Sequence, residues 1–295
     1  MLRFEALYPD IYLLKVPFSG LWTGVVLITG EENCLIDSGA RDPDVDQLII
    51  PALAELGLDL HSVSWLLNTH SHGDHIGGHA RIKNLACMRV AAHASSAPKV
   101  ENPVPYAIET RTKFPEHSPA PQSYLQGVPV DRVLEDGEVI AGRLQVIHTP
   151  GHDDDCVCWL DLPTGTLITG DSVQGNGTPA QGVGFYKDLD AYRASVEKLL
   201  GLPVENMICG HEYHRIGWNI TGAENVRKAL ELCLDCTWQY QDFVEKQHQA
   251  GISDPAEIAR AMIRTLGCGM PDRLFLALYT VTQHLEKIQK EYQGG

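Results

Sequence analysis

Four apolar runs in the first two-thirds of the chain break off in the same way, at a turn followed by a metal-binding type of side chain. "VSWLLNT" runs into His70, "LQVIHTPG" into His152, "TLITG" into Asp171 and "NMICG" into His211. Short aliphatic and β-branched runs bounded by turn residues read as strands. Side chains just beyond strand ends are accessible, yet a rigid sheet holds them in place. Strand ends along one edge of a layered sheet converge, so this pattern favours a fold in which distant segments meet at one edge.

The rest of the chain agrees with a layered α/β (α+β) arrangement. Further β-like runs are "IYLLKV", "GVVLITG", "NCLIDSG", "MRVAAH" and "CVCWLDL", and the turn signal "PTGT" predicts a hairpin between Cys156–Leu162 and Thr166–Gly170. Helical patterns are interleaved at Asp44–Gly57, about Ile76–Lys83 and Leu189–Leu200, as expected for sheets covered by helices. The proline-dense stretch 98–129 lacks clear periodicity and reads as a long loop near the active face. After about residue 221 the pattern becomes amphipathic and helical over Ala223–Gln249, Asp254–Leu266 and Arg273–Tyr292. The expected division is therefore a catalytic domain over 1–220 and an all-helical appendage over 221–295. The appendage is expected to cap the active face or to pair with a second copy in a homodimer.

Composition narrows the classes of partner. A net charge of −15 without any basic run disfavours nucleic acid, which needs cations to displace its counterions. No window approaches the roughly 18 uncharged apolar residues of a membrane span. The N-terminal "MLRFEALYPDIYLLKVPF" carries Arg3, Glu5 and Asp10 and does not read as a signal peptide. The 8 cysteines include several in apolar runs, which suits buried reduced thiols. Cys233 and Cys236 have a redox-like spacing, but they fall in a helical run without a second such pair and read as core residues. A reducing cytoplasm is the expected setting, with a small molecule as the substrate.

The densest chemistry lies in "NTHSHGDHIGGH", residues 68–79. On a turning loop His70 and His72 can point to one side, while Asp74 and His75 reach a second point nearby. Imidazole suits zinc, and a mixed imidazole and carboxylate set marks a catalytic site. Gly73 relaxes the loop, and Gly77-Gly78 lets the following helix approach closely. Scattered histidines on a surface turn are a weak alternative at this spacing. His79 is expected to be a helix residue close to the site, and Asp153–Asp155 to serve in the turn after His152. His61, His93, His117, His248 and His284 have no ligand context.

Taken in order, "THSHGDHIGG", "TPGH", "TGDS" and "CGHEY" resemble the metallo-β-lactamase superfamily over about residues 8–215. The resemblance implies a four-layer αββα sandwich with its site at one edge of the sheets. It also implies two divalent ions, zinc first, with manganese or iron as alternatives. His70, His72 and His152 would hold one ion, Asp74, His75 and His211 the other, and Asp171 would bridge both. Asp37 of "LIDSG" matches an early aspartate that orients the metal loop. His148 competes with His152 and His214 with His211, but the "PGH" context favours His152 and the "GH" context favours His211. His148 is then expected in a strand or supporting a ligand.

Such a site implies metal-dependent hydrolysis, in which a metal-bridged hydroxide attacks an electrophile and Asp74 orients it and takes a proton. No "GxSxG" occurs to suggest a serine nucleophile. "CGHEY" is similar to glyoxalase II, a thioester hydrolase, although a basic C-terminal glutathione-binding pattern is not evident. Quorum-quenching lactonases carry a tyrosine where Gln174 stands here, so Tyr186 or Tyr213 is expected to help stabilise an oxyanion. "TPGHDDD" and "GDSVQGNGT" are similar to β-lactamase-like endoribonucleases. An ester, thioester or lactone hydrolase ranks first, a phosphodiesterase second, and a non-catalytic metal-binding module third.

Overall fold

Side chains alternate between two faces along a strand, and in this protein both faces are apolar. On the strand Val157–Asp161, Val157 and Trp159 enter one buried cluster, whereas Cys158 and Leu160 enter another. On Ile11–Phe18, Leu13 and Leu14 divide in the same way. Sheets apolar on both faces must be covered on both, which dictates four layers. The computed structural model, which describes residues 2–293, shows that arrangement.

The first sheet contains β1 (Glu5–Tyr8), β2 (Ile11–Phe18), β3 (Leu21–Ile28), β4 (Asn33–Ile36), β5 (Val63–Leu67), β6 (Arg89–His93) and β7 (Arg132–Leu134), paired in chain order. The second contains β8 (Val139–Ile140), β9 (Leu144–His148), β10 (Val157–Asp161), β11 (Thr166–Ile168), β12 (Asn206–Tyr213) and β13 (Gly217–Thr221), also in sequential order across the sheet. Pairing is parallel from β4 to β7 and between β11 and β12, and antiparallel elsewhere. The expected hairpin is present, with Asp161 opposite Thr166. Between the sheets lies a core that includes Ile36, Trp65, Leu67, Val146, Trp159 and Ile208.

After α1 (Asp42–Asp44), the outer face of the first sheet is covered by the π-helical turn Val45–Ile49 and α2 (Ile50–Glu55). Next, α3 (Gly73–Ile76) carries Asp74 and His75, while α4 (His79–Leu85) and α5 (Ala97–Glu101) complete the cover. Val45, Ile49, Leu53, Ile82 and Val100 fill that cluster. The stretch between α5 and β7 contributes α6 (Pro103–Thr112). The second sheet is covered by α7 (Leu189–Leu200), α8 (Ala223–Gln249), α9 (Pro255–Thr265) and α10 (Phe275–Gln293). Leu189, Val196, Leu230, Met262 and Leu278 share one buried cluster with Leu160 and Met207 of the sheet. The C-terminal helices thus extend the outer layer over the second sheet. No described helix is long and apolar enough to cross a membrane.

Two local expectations change. Stretch 98–129 is helical in its first half, through α5 and α6, because its prolines sit in the first turn of each helix, where no intrahelical N–H is needed. The helix expected over Ile76–Lys83 is two helices broken at Gly77-Gly78. A Cβ on Gly77 would lie 2.0 Å from the Ala40 carbonyl oxygen, and one on Gly78 2.4 Å from that of Ser38. Both glycines are therefore required for the metal-loop segment to lie against the turn after β4.

Candidate metal centre

The parallel pairs β4/β5 and β11/β12 bring their C-terminal ends to one edge of the sandwich. Asp37 follows β4, His70 follows β5, Asp171 follows β11 and His152 follows the turn after β9. His211 lies inside β12, at an irregularity in its pairing with β13, rather than beyond the strand end.

The seven residues meet in overlapping groups, His70, His75 and Asp171 forming one of them. His70, His72 and His152 gather one set of ligand atoms, and Asp74, His75 and His211 gather another, each within 4.8 Å. Asp171 stands between them. Its Oδ2 is 3.5 Å from His152 Nε2, and its Oδ1 is 3.5 Å from His75 Nε2 and 3.4 Å from His211 Nε2. One carboxylate thus faces both groups with different oxygens.

The imidazoles are oriented by bonds on their outer nitrogens. His75 Nδ1 donates to Asp37 Oδ2 at 2.8 Å, His211 Nδ1 to the Trp22 carbonyl at 2.7 Å, and His152 Nδ1 to the Phe185 carbonyl at 2.9 Å. His70 Nδ1 lies 3.2 Å from Thr69 Oγ1. His72 is turned the other way, with Nε2 donating to Asp153 Oδ2 at 3.0 Å and Nδ1 facing His152. Such outer partners place the proton away from the centre and leave a lone pair directed inward. His70 Nε2, His75 Nε2 and Asp171 Oδ1 are buried without a hydrogen-bond partner. Orphaned buried lone pairs are costly unless something binds them, so this donor set fits divalent cations.

Charge supports the same fit. Burial drives His70 well below the usual imidazole range and lowers His152 to about 4. Burial also opposes charge on His75 and His211. Nevertheless Asp74, Asp37 and Asp171 hold His75 well above the usual range, and Asp171 and Asp74 raise His211 to about 10. The carboxylates therefore demand positive charge at the centre, which metal ions supply in place of protons.

Asp37 is the hub behind this centre. It adopts φ 64°, uncommon for a non-glycine residue. Its Oδ1 accepts from Thr69 N, and its Oδ2 from Thr69 Oγ1 as well as from His75. Asp37→Asn removes one acceptor and is expected to weaken metal binding by about 10–100-fold, as changes in outer partners of ligands commonly do. Competition with a chromogenic chelator would measure it, and an affinity equal to that of the wild type would refute the role.

Other expected participants are placed less centrally. Tyr186 does not reach the cleft, since its hydroxyl is 2.6 Å from His284 Nε2 within the helical core. From there it cannot stabilise an oxyanion in the cleft, contrary to expectation. The buried Tyr213 stands behind His211, ring centroids 6.0 Å apart, and burial together with the neighbouring Asp171 carboxylate pushes its hydroxyl well above the usual phenol range. His148 stacks on His93 at 4.3 Å and bonds the Asp154 carbonyl, away from the two groups. His79 lies behind the loop, its Nδ1 2.7 Å from Ser38 Oγ.

Asp153 does more than the turn role expected for it. Besides His72 it accepts from Lys99 Nζ at 2.8 Å and from Lys187 Nζ at 2.5 Å. Its only sequence signal is its place next to His152 at the head of three consecutive acids. Gln174 also has a part that its sequence context does not signal. It ties Asp171 to Phe185 through their backbones, donating to one carbonyl and accepting from the other amide.

The centre opens into a cleft of about 140 Å³ lined by Phe18, Leu21, Ala107, Phe185 and Leu276, with Asp74, Arg111 and Gln122 among its polar groups. The cleft is formed in part by the stretch 98–129, as its expected position near the active face requires.

Comparison with known proteins agrees with this architecture. The family model "Metallo-beta-lactamase superfamily" matches residues 22–211, and the chain belongs to that superfamily. It is a metal-dependent hydrolase by class. A beta-lactamase-like protein 2 homolog of Drosophila melanogaster is 28% identical over 269 residues, covering 90% of this chain and 81% of that protein. An atrochrysone carboxyl ACP thioesterase of Aspergillus fumigatus is 26% identical, covering 85% and 70%. A lactamase-like protein of Pestalotiopsis fici is 30% identical over a shorter match, covering 52% of this chain and 40% of that protein. Among solved structures, a metallo-beta-lactamase family protein from Thermus thermophilus superposes with a TM-score of 0.73 at 24% identity, covering 97% and 95%, a likeness of fold.

Proposed function

We propose that the protein is a binuclear metal-dependent hydrolase of an ester, thioester or lactone carbonyl in a small molecule. The observation that carries the reading is Asp171, whose two oxygens face the two ligand groups separately. His70, His72 and His152 would hold one ion and Asp74, His75 and His211 the other. Bound there, two divalent ions, zinc first, lower the pKa of water towards neutrality and polarise the electrophile.

The chain's own groups supply position and proton transfer. Thr23 Oγ1 donates to Asp74 Oδ2 at 3.1 Å, and His211 Nε2 lies 3.3 Å from the same oxygen. Thus held at the cleft, the Asp74 carboxylate orients the attacking water and takes its proton. The largely apolar walls suit an acyl group and exclude competing water. The thioesterase relative supports a carbonyl substrate. A small-molecule substrate and a reducing cytoplasm complete the reading, the latter supported by 8 unpaired cysteines.

The test is a paired screen of zinc-reconstituted protein on chromogenic esters, thioesters and lactones against bis-p-nitrophenyl phosphate and short RNA. Turnover of at least one carbonyl class without phosphodiester turnover is expected. Phosphodiester cleavage alone would move the protein to the phosphodiesterase class. Failure to retain metal after reconstitution would favour a non-catalytic role.

A further inference from the structure

Arg111 is one of the polar groups lining the metal-centre cleft, and none of the other residues that line it is a lysine or an arginine. It belongs to the last turn of α6, is partly buried, and stacks its guanidinium 4.4 Å from the Phe275 ring centroid. Among the described residues no carboxylate forms an ion pair with it. Two nearby buried or half-buried cations differ. Lys99 is bound by Asp153 and Asp155, and Lys187 by Asp153.

A partly desolvated cation without a counter-ion is unfavourable, and buried charges are ordinarily paired. Burial weakens the hold of Arg111 on its proton, and the Asp74 carboxylate is the leading opposing influence. That carboxylate belongs to the proposed ligand set, so binding of cations there would leave Arg111 with still less compensation. Its planar fork matches a carboxylate or phosphate through two parallel hydrogen bonds. Thr178 Oγ1, on the same cleft, is also buried without a partner. Between these polar groups the walls are Leu21, Ala107, Phe185 and Leu276.

We propose that Arg111 is a specificity-determining residue and that the substrate is an acyl compound with a carboxylate or phosphate group. Arg111 holds the anionic group while the apolar portion lies along the cleft and the carbonyl reaches the metal centre. The inference rests on the carbonyl-hydrolase reading and deepens it by naming the substrate class.

The test uses the full zinc-loaded chain and has two readouts. Calorimetry compares linear dicarboxylates from succinate to suberate with monocarboxylates of equal length, one carboxylate being available to the metals in either series. The wild type is expected to bind at least one dicarboxylate about 10-fold tighter than its monocarboxylate match, the scale of one charge-assisted pair. Arg111→Gln should bring that ratio near one, while Arg111→Lys should retain part of it. ω-Phosphonocarboxylates of the same lengths distinguish a phosphate-type anion from a carboxylate. Kinetics then compare p-nitrophenyl half-esters of the best diacid with neutral p-nitrophenyl esters. Arg111→Gln should raise KM for the half-ester and remove the anionic preference in kcat/KM.

Equal wild-type binding of the two acid series would overturn the proposal, as would an Arg111→Gln variant that keeps the preference. If Arg111→Gln fails to fold, the wild-type ratio and Arg111→Lys still decide. A binding preference erased in Arg111→Gln, with no carbonyl turnover in any form, would support the anion site while rejecting the carbonyl-hydrolase reading.

Discussion

Asp171→Ala is expected to abolish most hydrolysis, with a loss larger than the roughly 100-fold caused by changing an outer partner of a ligand. The reason is geometric. Asp171 Oδ2 faces His152, while Oδ1 faces His75 and His211, so one truncation removes an acceptor from both groups. It also removes a negative charge that raises His75 and His211, making the unfilled centre less demanding of cations. Metal content should therefore fall together with kcat, which metal analysis of the same preparation would show. Full activity with full metal content would eliminate the bridging assignment. Loss of activity with an unchanged metal count would leave Asp171 a role in the reaction but not in holding the ions.

Trp159→Ala should produce the largest loss of stability, about 3–5 kcal/mol on the scale of deleting a buried large aromatic side chain. Trp159 has no exposed surface and packs in the core between the sheets. Its Nε1 donates to the Asn68 carbonyl at 3.0 Å, two residues before the first metal-loop histidine. Truncation opens a cavity and leaves that carbonyl without its donor, so the metal loop should loosen as the core weakens. Urea unfolding monitored by circular dichroism would read the loss as a lower midpoint with an unchanged slope. A midpoint like that of the wild type would contradict the account of the inter-sheet core.

Ligand chemistry is legible in the sequence because it is local. A strand, a turn and a donor occupy fewer than ten consecutive residues, and "NTHSHGDHIGG" states its donor types and spacing outright. Helices α7 and α8 begin and end at the residues their amphipathic patterns indicate. Pro-rich α6 reads as loop in the sequence because a proline prevents helix continuation but not helix initiation. Arg111 is hidden with it, since an arginine in a loop has no visible reason to be unpaired.

The sequence by itself determined the covered-sheet class and the types and spacing of the candidate donors. These follow from periodicity and local stereochemistry, which act over a few residues. Only the tertiary structure decided which nitrogen of each histidine faces inward, because the deciding acceptors are distant in the chain. His211 is oriented by a carbonyl 189 residues away, and His72 by a carboxylate 81 residues away. It likewise placed Tyr186 in the helical core and Arg111, without an ion-pair partner, at the cleft. Backbone carbonyls carry no side-chain signature, and whether a charge is paired depends on every segment packed around it.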